Sequence, residues 1–492
     1  MKNEHVNSIH VNWYELDKLF SGLNTELEHE ITVQREAIPL VFVPGIMGSV
    51  LRLSGTDGNG EGPDGLPNLR WNPGDSQWMW WQYSGASATF RRSMLVGPEK
   101  FNKNFLEVHN TNPIGNGFQG VSSSSYLAFL QFLQDQKMWG PLGKIFEFPV
   151  FAFGYNWTDT NINNGDLLVQ RIDDIIKEAK EATGFCEKVI LITHSMGGLV
   201  SRAASRLAES KIIGIIHGVQ PATGAPAAYW RVKAGFEGCG PTSRVLGNSA
   251  ETVTPVLGNI PGGLELLPNK HYRDNNGRKE WLIVTEDNKE ILSLPKSDPY
   301  NEIYRTQGTG NELENPGRKY WGLIDPDLLD AAITSQSADS NDPDSIDAKT
   351  RWSVWDQYLE QLKKAEHFHE TIKKSTHPFT FTFHGTGHKS ADRVEMKTES
   401  VVVEWDSYPK RGFRGRYKNS QGKDRRAMLQ DPTGEGDGTV PVSSASALDD
   451  IAQPTPQPME TKTEHEPAYN EPAVRNWLWQ SKIPPPNIQM AA

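Results

Sequence analysis

An apolar, β-branched run that ends on a serine and passes at once into glycines constrains this chain more than any other feature. Residues 189–198 read VILITHSMGG. The isoleucines, leucine and valine predict a buried strand over 188–193, and the small residues beyond them open a helix over 197–207. Ser195, between the two, must ride a sharp turn that lifts its hydroxyl off the backbone at the head of that helix. Such a turn crowds the positions two before and two after the serine. Gly197 meets the second demand, whereas Thr193 stands where a glycine would meet the first, so the chain departs from G-x-S-x-G by one residue. His194 is expected to point away from the serine and to serve the structure.

An acyl-transfer serine needs two main-chain N–H groups aimed at the oxygen that becomes negative. Met196 supplies one by position. Residues 38–49, IPLVFVPGIMGS, form a second short apolar strand running into a glycine turn, and Ile46, directly after Pro44 and Gly45, is the expected second donor. An ordinary strand and turn would read the same way. GEGDGTVP at 434–441 and TEHEP at 463–467 then place an acid, Asp437, and a base, His465, after the serine in the order nucleophile, acid, base. Asp437 would fix the tautomer of His465, and the imidazole would take the serine proton and return it to the leaving group. Alone, the acid reads as turn chemistry and the histidine as a surface residue; the ordered conjunction is what gives them meaning.

Taken together, PLVFVPGIMGSVLRL at 39–53, HSMGG at 194–198, FTFTFHGTG at 379–387, GDGTVP at 436–441 and the pair Glu464-His465 resemble the lecithin:cholesterol acyltransferase and lysosomal phospholipase A family. Tyr155-Asn-Trp157 is similar to that family's Tyr-Asp-Trp segment, with Asn156 in place of the acid. The resemblance runs over roughly residues 38–480. It implies an α/β-hydrolase: a mainly parallel sheet with helices on both faces and large lid and cap insertions, acting on lipid esters without a cofactor or metal. It also implies Ser195 as nucleophile, Asp437 and His465 as its partners, and Ile46 with Met196 as oxyanion donors. HGVQPATG at 217–224 and PGGLELLPN at 261–269 look like a bacterial branch of these lipases, some of which are antibacterial phospholipase effectors of type VI secretion. A secretion-system or inhibitor protein is the partner this implies.

The first and last pieces of this constellation bracket most of the 492 residues, so one elaborated domain over 38–485 is expected after a polar, irregular extension at 1–37 with a short helix around 13–23. Strands are expected at 38–43, 147–153, 188–193, 212–217, 281–285 and 379–384, with helices over 167–182 and 351–374. Insertions fall at about 52–110, 225–280 and 390–430. The first carries Trp71, Trp78, Trp80 and Trp81 within thirteen residues, which suits a lid meeting the lipid–water boundary, or equally a cluster packed on the body. The second would cover the site from the other side and offer Leu264, Leu266 and Leu267 to an acyl chain. The third holds eight basic residues and one acid between 410 and 426; it reads as a solvated hairpin face, or as a rim that attracts anionic headgroups.

A formal net charge of −11 argues against a general nucleic-acid binder. No apolar stretch approaches the ~18 residues of a membrane span, and MKNEHVN lacks the apolar core of a secretory signal. The expectation is a protein made in the cytoplasm that contacts membrane surfaces and leaves, if it does, by a signal-independent route. Cys186 and Cys239 are too few for a disulfide framework, and their pairing is left open. A calcium loop at Asp57 and Asn59 fails at position twelve, where Asn68 stands, and a zinc-protease motif begun by His369-Glu370 fails at Lys373. The leading expectation is a lipid esterase working through an acyl-enzyme. Resolution of the same intermediate by an alcohol would make it an acyltransferase, and a silent lipid- or partner-binding protein would keep the fold alone.

Overall fold

The computed structural model describes residues 7–12, 29–56, 60–96, 106–109, 118, 120–135, 139, 142–238, 240–308, 317–330, 346–373, 375–400, 416–418, 422–449 and 458–480. A six-stranded parallel sheet lies at its centre, built from β1 (Leu40–Val43), β2 (Val150–Ala152), β3 (Val189–His194), β4 (Ile212–Gly218), β5 (Thr380–Gly385) and β6 (Met459–Thr461) in the order β6-β5-β4-β3-β1-β2. Every residue of β1, β3, β4 and β5 is buried. The uninterrupted apolar runs of the sequence have this cause: a parallel strand covered on both faces has no wet side to alternate with.

Successive residues serve two cores. Val41, Val43, Val189, Leu191 and Ile215 join the core on one face, and Leu40, Phe42, Ile190, Ile192 and Ile216 the core on the other. Each such side chain contributes on the order of 1.5–3 kcal/mol by leaving water. The helices that follow are α1 (Ser76–Tyr83), α2 (Ala88–Leu95), α3 (Ser123–Gln134), α4 (Asn161–Thr183), α5 (Gly197–Ala208), α6 (Pro226–Ala234), α7 (Pro241–Leu246), α8 (Ala250–Leu257), α9 (Ile346–Ile372) and α10 (Pro472–Gln480). Leu168, Ile172, Ile175 and Ala179 of α4 bury the stripe that their spacing predicts, and Thr160 caps the helix by accepting from the Ile162 amide. Gly165 of α4 lies against Ala203 of α5, so these helices cover one face. Tyr126, Phe129 and Leu133 of α3, with Val474 and Leu478 of α10, cover the other.

Two sequence expectations need correction, and a third segment finds its neighbours. The strand at 281–285 forms, as Leu282–Glu286, but in a second sheet, where it runs parallel to Val394–Ser400 and antiparallel to Lys289–Leu294. Local β-pattern announces a strand and is silent about its partner. Residues 7–12 and 29–34, expected to be irregular, pair as two parallel strands, while the helix expected around 13–23 lies outside the described residues. In the basic excursion, Arg416–Lys418 and Asp424–Leu429 extend the second sheet as an antiparallel pair, and Arg425 forms an ion pair with Glu286; Lys410, Arg411 and Arg414 lie outside the described residues. Cys186 is buried beside Ala37 and Ala179, where burial pushes its thiol up to about 11. Cys239, Asp57 and Asn59 also lie outside the described residues, among which no group of side chains fit to hold a metal ion is found.

Candidate active site

The carboxyl ends of β1, β3, β5 and β6 lie along one edge of the sheet, and the candidate residues sit on the segments that leave it there. Ser195 follows β3 with φ 53°, in the left-handed region that a residue with a Cβ occupies at a cost. Its amide is held by the Gly218 carbonyl at 2.9 Å. A Cβ on Gly197 would fall 2.3 Å from the Val43 carbonyl oxygen, which is why the position two after the serine admits no side chain. Thr193 is tolerated two before it because its hydroxyl turns to Nδ1 of His217, its partner on β4, at 3.0 Å.

Asp437 sits in the glycine turn at 434–438, one per cent exposed, with Oδ1 accepting from the amides of Thr439 and Val440 at 2.9 and 2.7 Å. Its Oδ2 faces Nδ1 of His465 at 2.7 Å, and Nε2 of His465 faces Oγ of Ser195 at 2.8 Å. A carboxylate only accepts, so Nδ1 carries the proton and Nε2 is left to accept from the serine. The main chain repeats the join: the His465 amide donates to the Asp437 carbonyl at 2.9 Å. Three side chains that lie up to 270 residues apart in sequence thus form one hydrogen-bonded series.

Beneath it runs a second series that sequence reasoning left unread. His194 is buried, and desolvation, followed by the neighbouring His465, pushes its pKa down to about 3, so it is neutral at ordinary pH. Nε2 donates to the His465 carbonyl at 2.8 Å, and Nδ1 accepts from the Tyr126 hydroxyl at 3.0 Å. That hydroxyl in turn accepts from the Gly45 amide at 3.2 Å. The glycine turn after β1 is thereby tied to the loop of the base. In this turn Ile46 is partly buried, and among the described residues neither its amide nor that of Met196 donates to another main-chain group. No motif announces Tyr126, which occupies a helical position like its apolar neighbours.

Over this floor opens a cavity of about 620 Å³, lined by Ile46, Met47, Ser195 and His465 below and by α1, α6 and α7 above. Its size is that of a small-molecule site. Trp80 lines it, 38% exposed, and Trp81 beside it is 80% exposed. Trp71 takes the packed alternative while still lining the cavity: it is 3% exposed, its indole N–H donates to the Met47 carbonyl at 2.8 Å, and its ring packs on Tyr83 and Trp157. It belongs to the wall. Trp78 packs partly buried against Tyr83. Of the leucines expected to meet an acyl chain, Leu266 lines the cavity, while Leu264 and Leu267 are wholly buried in the core. Arg91 of α2 joins lid to cap, donating to the carbonyls of Val245 at 2.6 Å and Arg244 at 3.0 Å on α7.

With this geometry in hand, comparison with solved structures is informative. The fold matches Tle4 in its complex with Tli4 at a TM-score of 0.69 and 22% identity, over 92% of this chain and 98% of that one. This chain has the α/β-hydrolase fold. A family model described as a PGAP1-like alpha/beta domain matches residues 156–232, from the Tyr155 segment through the elbow to α6. Bacillus licheniformis lipase BlEst2 in its mature form aligns at 14% identity over 44% of this chain and 54% of its own, and phospholipase PlaB from Legionella pneumophila at 13% over 64% and 80%. Both have a TM-score of 0.20 and carry no structural argument. No curated protein matches the sequence.

Proposed function

We propose that this chain is a serine-dependent hydrolase of lipid carboxylic esters, a lipase or phospholipase, working through an acyl-enzyme on Ser195. The observation that carries the reading is the series Ser195–His465–Asp437 at the floor of a cavity. In the first step His465 Nε2 takes the hydroxyl proton as Oγ attacks the ester carbonyl, and Asp437 stabilises the imidazolium that results. The oxygen that becomes negative is met by the amides of Ile46 and Met196. Collapse of the tetrahedral intermediate expels the alcohol, which receives the proton from His465. Water then attacks the acyl carbon, its proton passing to His465 and from there to Oγ of Ser195 as the acyl–Oγ bond breaks, which releases the acid and restores the free serine.

Lid tryptophans Trp80 and Trp81 support contact with a membrane surface, where amphipathic rings are favoured. No described helix is long and apolar enough to cross a membrane. The match to Tle4, solved in a complex with Tli4, supports a protein partner for this chain as well. The sequence motifs add the lecithin:cholesterol acyltransferase branch as the finer assignment. Two measurements test the reading. A fluorophosphonate probe is expected to label Ser195 and to lose its target in Ser195→Ala. Mass spectrometry of lipid extracts is expected to show free fatty acid and lysolipid with the wild type only. An unlabelled serine would return the chain to a binding role, and new esters formed with an added alcohol would make it an acyltransferase.

A further inference from the structure

The turn after β1 supplies no reacting side chain, yet its main chain is held at several points. The Gly48 amide donates to the Gly45 carbonyl at 3.1 Å, and of the two central residues Met47 alone has a positive φ, of 62°. These two facts define a type II turn over 45–48 with Ile46 as its second residue. A residue with a Cβ at such a φ must be held there by its surroundings. Trp71 Nε1 holds the Met47 carbonyl at 2.8 Å, and the Ser122 amide holds the Gly48 carbonyl at 2.8 Å. A trans peptide points its C=O and N–H in opposite directions. With the Gly45 carbonyl turned in toward Gly48, the Ile46 N–H on the same plane faces out of the turn, where it donates to no described main-chain group.

The peptide before it is gripped from both ends. Its C=O, that of Pro44, accepts from the Tyr155 hydroxyl at 2.9 Å, and its N–H, that of Gly45, donates to the Tyr126 hydroxyl at 3.2 Å. Both tyrosines are buried, so water does not compete for these bonds. The gripped peptide lies directly on the elbow: a Cβ on Gly45 would fall 2.9 Å from His194 Nδ1 and 3.0 Å from the Cβ of Ser195. We propose that Tyr126 and Tyr155 are positioning residues for the oxyanion step, clamping the Pro44–Gly45 peptide so that the adjoining Ile46 N–H is aimed at the oxygen that becomes negative over Ser195. The inference rests on the ester-hydrolase reading and adds to it two residues that act through the turn. It also gives the Tyr155-Asn-Trp157 segment a task. The Tyr155 amide donates to Ser49 Oγ at 3.0 Å, so this one residue holds the turn at Pro44 and again at Ser49. Tyr126 reaches further, since its hydroxyl also donates to His194 Nδ1.

A double-mutant cycle on p-nitrophenyl butyrate tests this, with rates counted per site titrated by a fluorophosphonate so that only folded enzyme is scored. Ile46→Pro deletes the N–H while suiting the second position of a type II turn. It is expected to lower kcat by about a hundredfold to a thousandfold, the scale of one lost oxyanion donor. Tyr155→Phe and Tyr126→Phe are each expected to lower kcat by about tenfold, with KM changed by less than about twofold, as for an interaction felt only in the transition state. In the Ile46→Pro background the Tyr155→Phe loss is expected to shrink below about twofold, because no amide is left to aim. The Tyr126→Phe loss should shrink without vanishing, since His194 is freed as well. The same factor with and without the Ile46 amide would mean that the tyrosines merely support the fold and would overturn the proposal, as would a kcat unmoved in both single variants. Should Tyr126→Phe fail to fold, Tyr155→Phe carries the cycle alone. An unchanged kcat in Ile46→Pro would end the proposal while leaving Ser195 as nucleophile. A wild type that hydrolyses no ester fails one step earlier, at the esterase reading itself, and takes the clamp with it.

Discussion

Floor and roof of the cavity are held by different kinds of force. The floor hangs from buried parallel strands and is fixed largely through the main chain: two amides hold the Asp437 carboxylate, the Asp437 carbonyl holds the His465 amide, and the His465 carbonyl holds the His194 ring. In the roof only α6 is sunk in the core; α1 and α7 are short and largely exposed, tied to each other through Arg91, with Trp81 mostly in water. Rigid positioning of reacting groups needs the first construction; admitting a large apolar substrate needs the second. The contrast makes the two regions separable by mutation.

The largest effect belongs to the floor. Ser195→Ala is expected to lower turnover by about six orders of magnitude on any ester, and Asp437→Asn by about four, because the wrong tautomer of His465 then faces the serine. Activity above a few per cent in Ser195→Ala, measured by initial rates on a soluble ester, would remove the nucleophile from the scheme. Next comes Tyr126→Phe, which strands the Gly45 amide and His194 Nδ1 in a buried place; a loss of about 1–3 kcal/mol in denaturant unfolding is expected. Roof variants should behave otherwise. Arg91→Met is expected to change kcat/KM on a short soluble ester by no more than about tenfold, and Trp81→Ser to weaken turnover on vesicles severalfold with under about twofold change on the soluble ester. Equal losses on both substrates would erase the distinction between the regions.

The gentlest probe is acid. Burial pushes His194 and His217 down to about 3 and His369 to about 4, all below the 6.5 of an unfolded chain. The unfolded state therefore binds more protons below pH 6.5, and stability must fall as pH falls through that window, by about 1.4 kcal/mol per unit for each histidine. Glu265 opposes one of them above pH 4.5, since burial raises its carboxyl to about 8 and keeps it protonated in the fold. Melting temperature followed from pH 7 to pH 4.5 checks the sign, and His217→Asn should flatten the slope.

How far the sequence could be read follows the same division. β3, the elbow and the order Ser195, Asp437, His465 were legible because buried strands and a sharp turn restrict residue type tightly. Tyr126 was not, since it sits on a helix among residues of similar type and acquires its partner only when His194 arrives from far along the chain. Trp71 stayed between two readings for a related reason. Four tryptophans in thirteen residues look alike on paper, and only the carbonyl of Met47 singles out the one that turns inward. The strand at 282–286 shows the remaining limit, that a β-pattern does not name its neighbour.

The hydrogen bond from His194 to the carbonyl of His465 closes a ring through Ser195 and back to the imidazole. Its two halves leave the ribosome 270 positions apart. The elbow can therefore take its shape from neighbouring strands alone, while the acceptor for the Ser195 hydroxyl is contributed by a segment made much later in the chain.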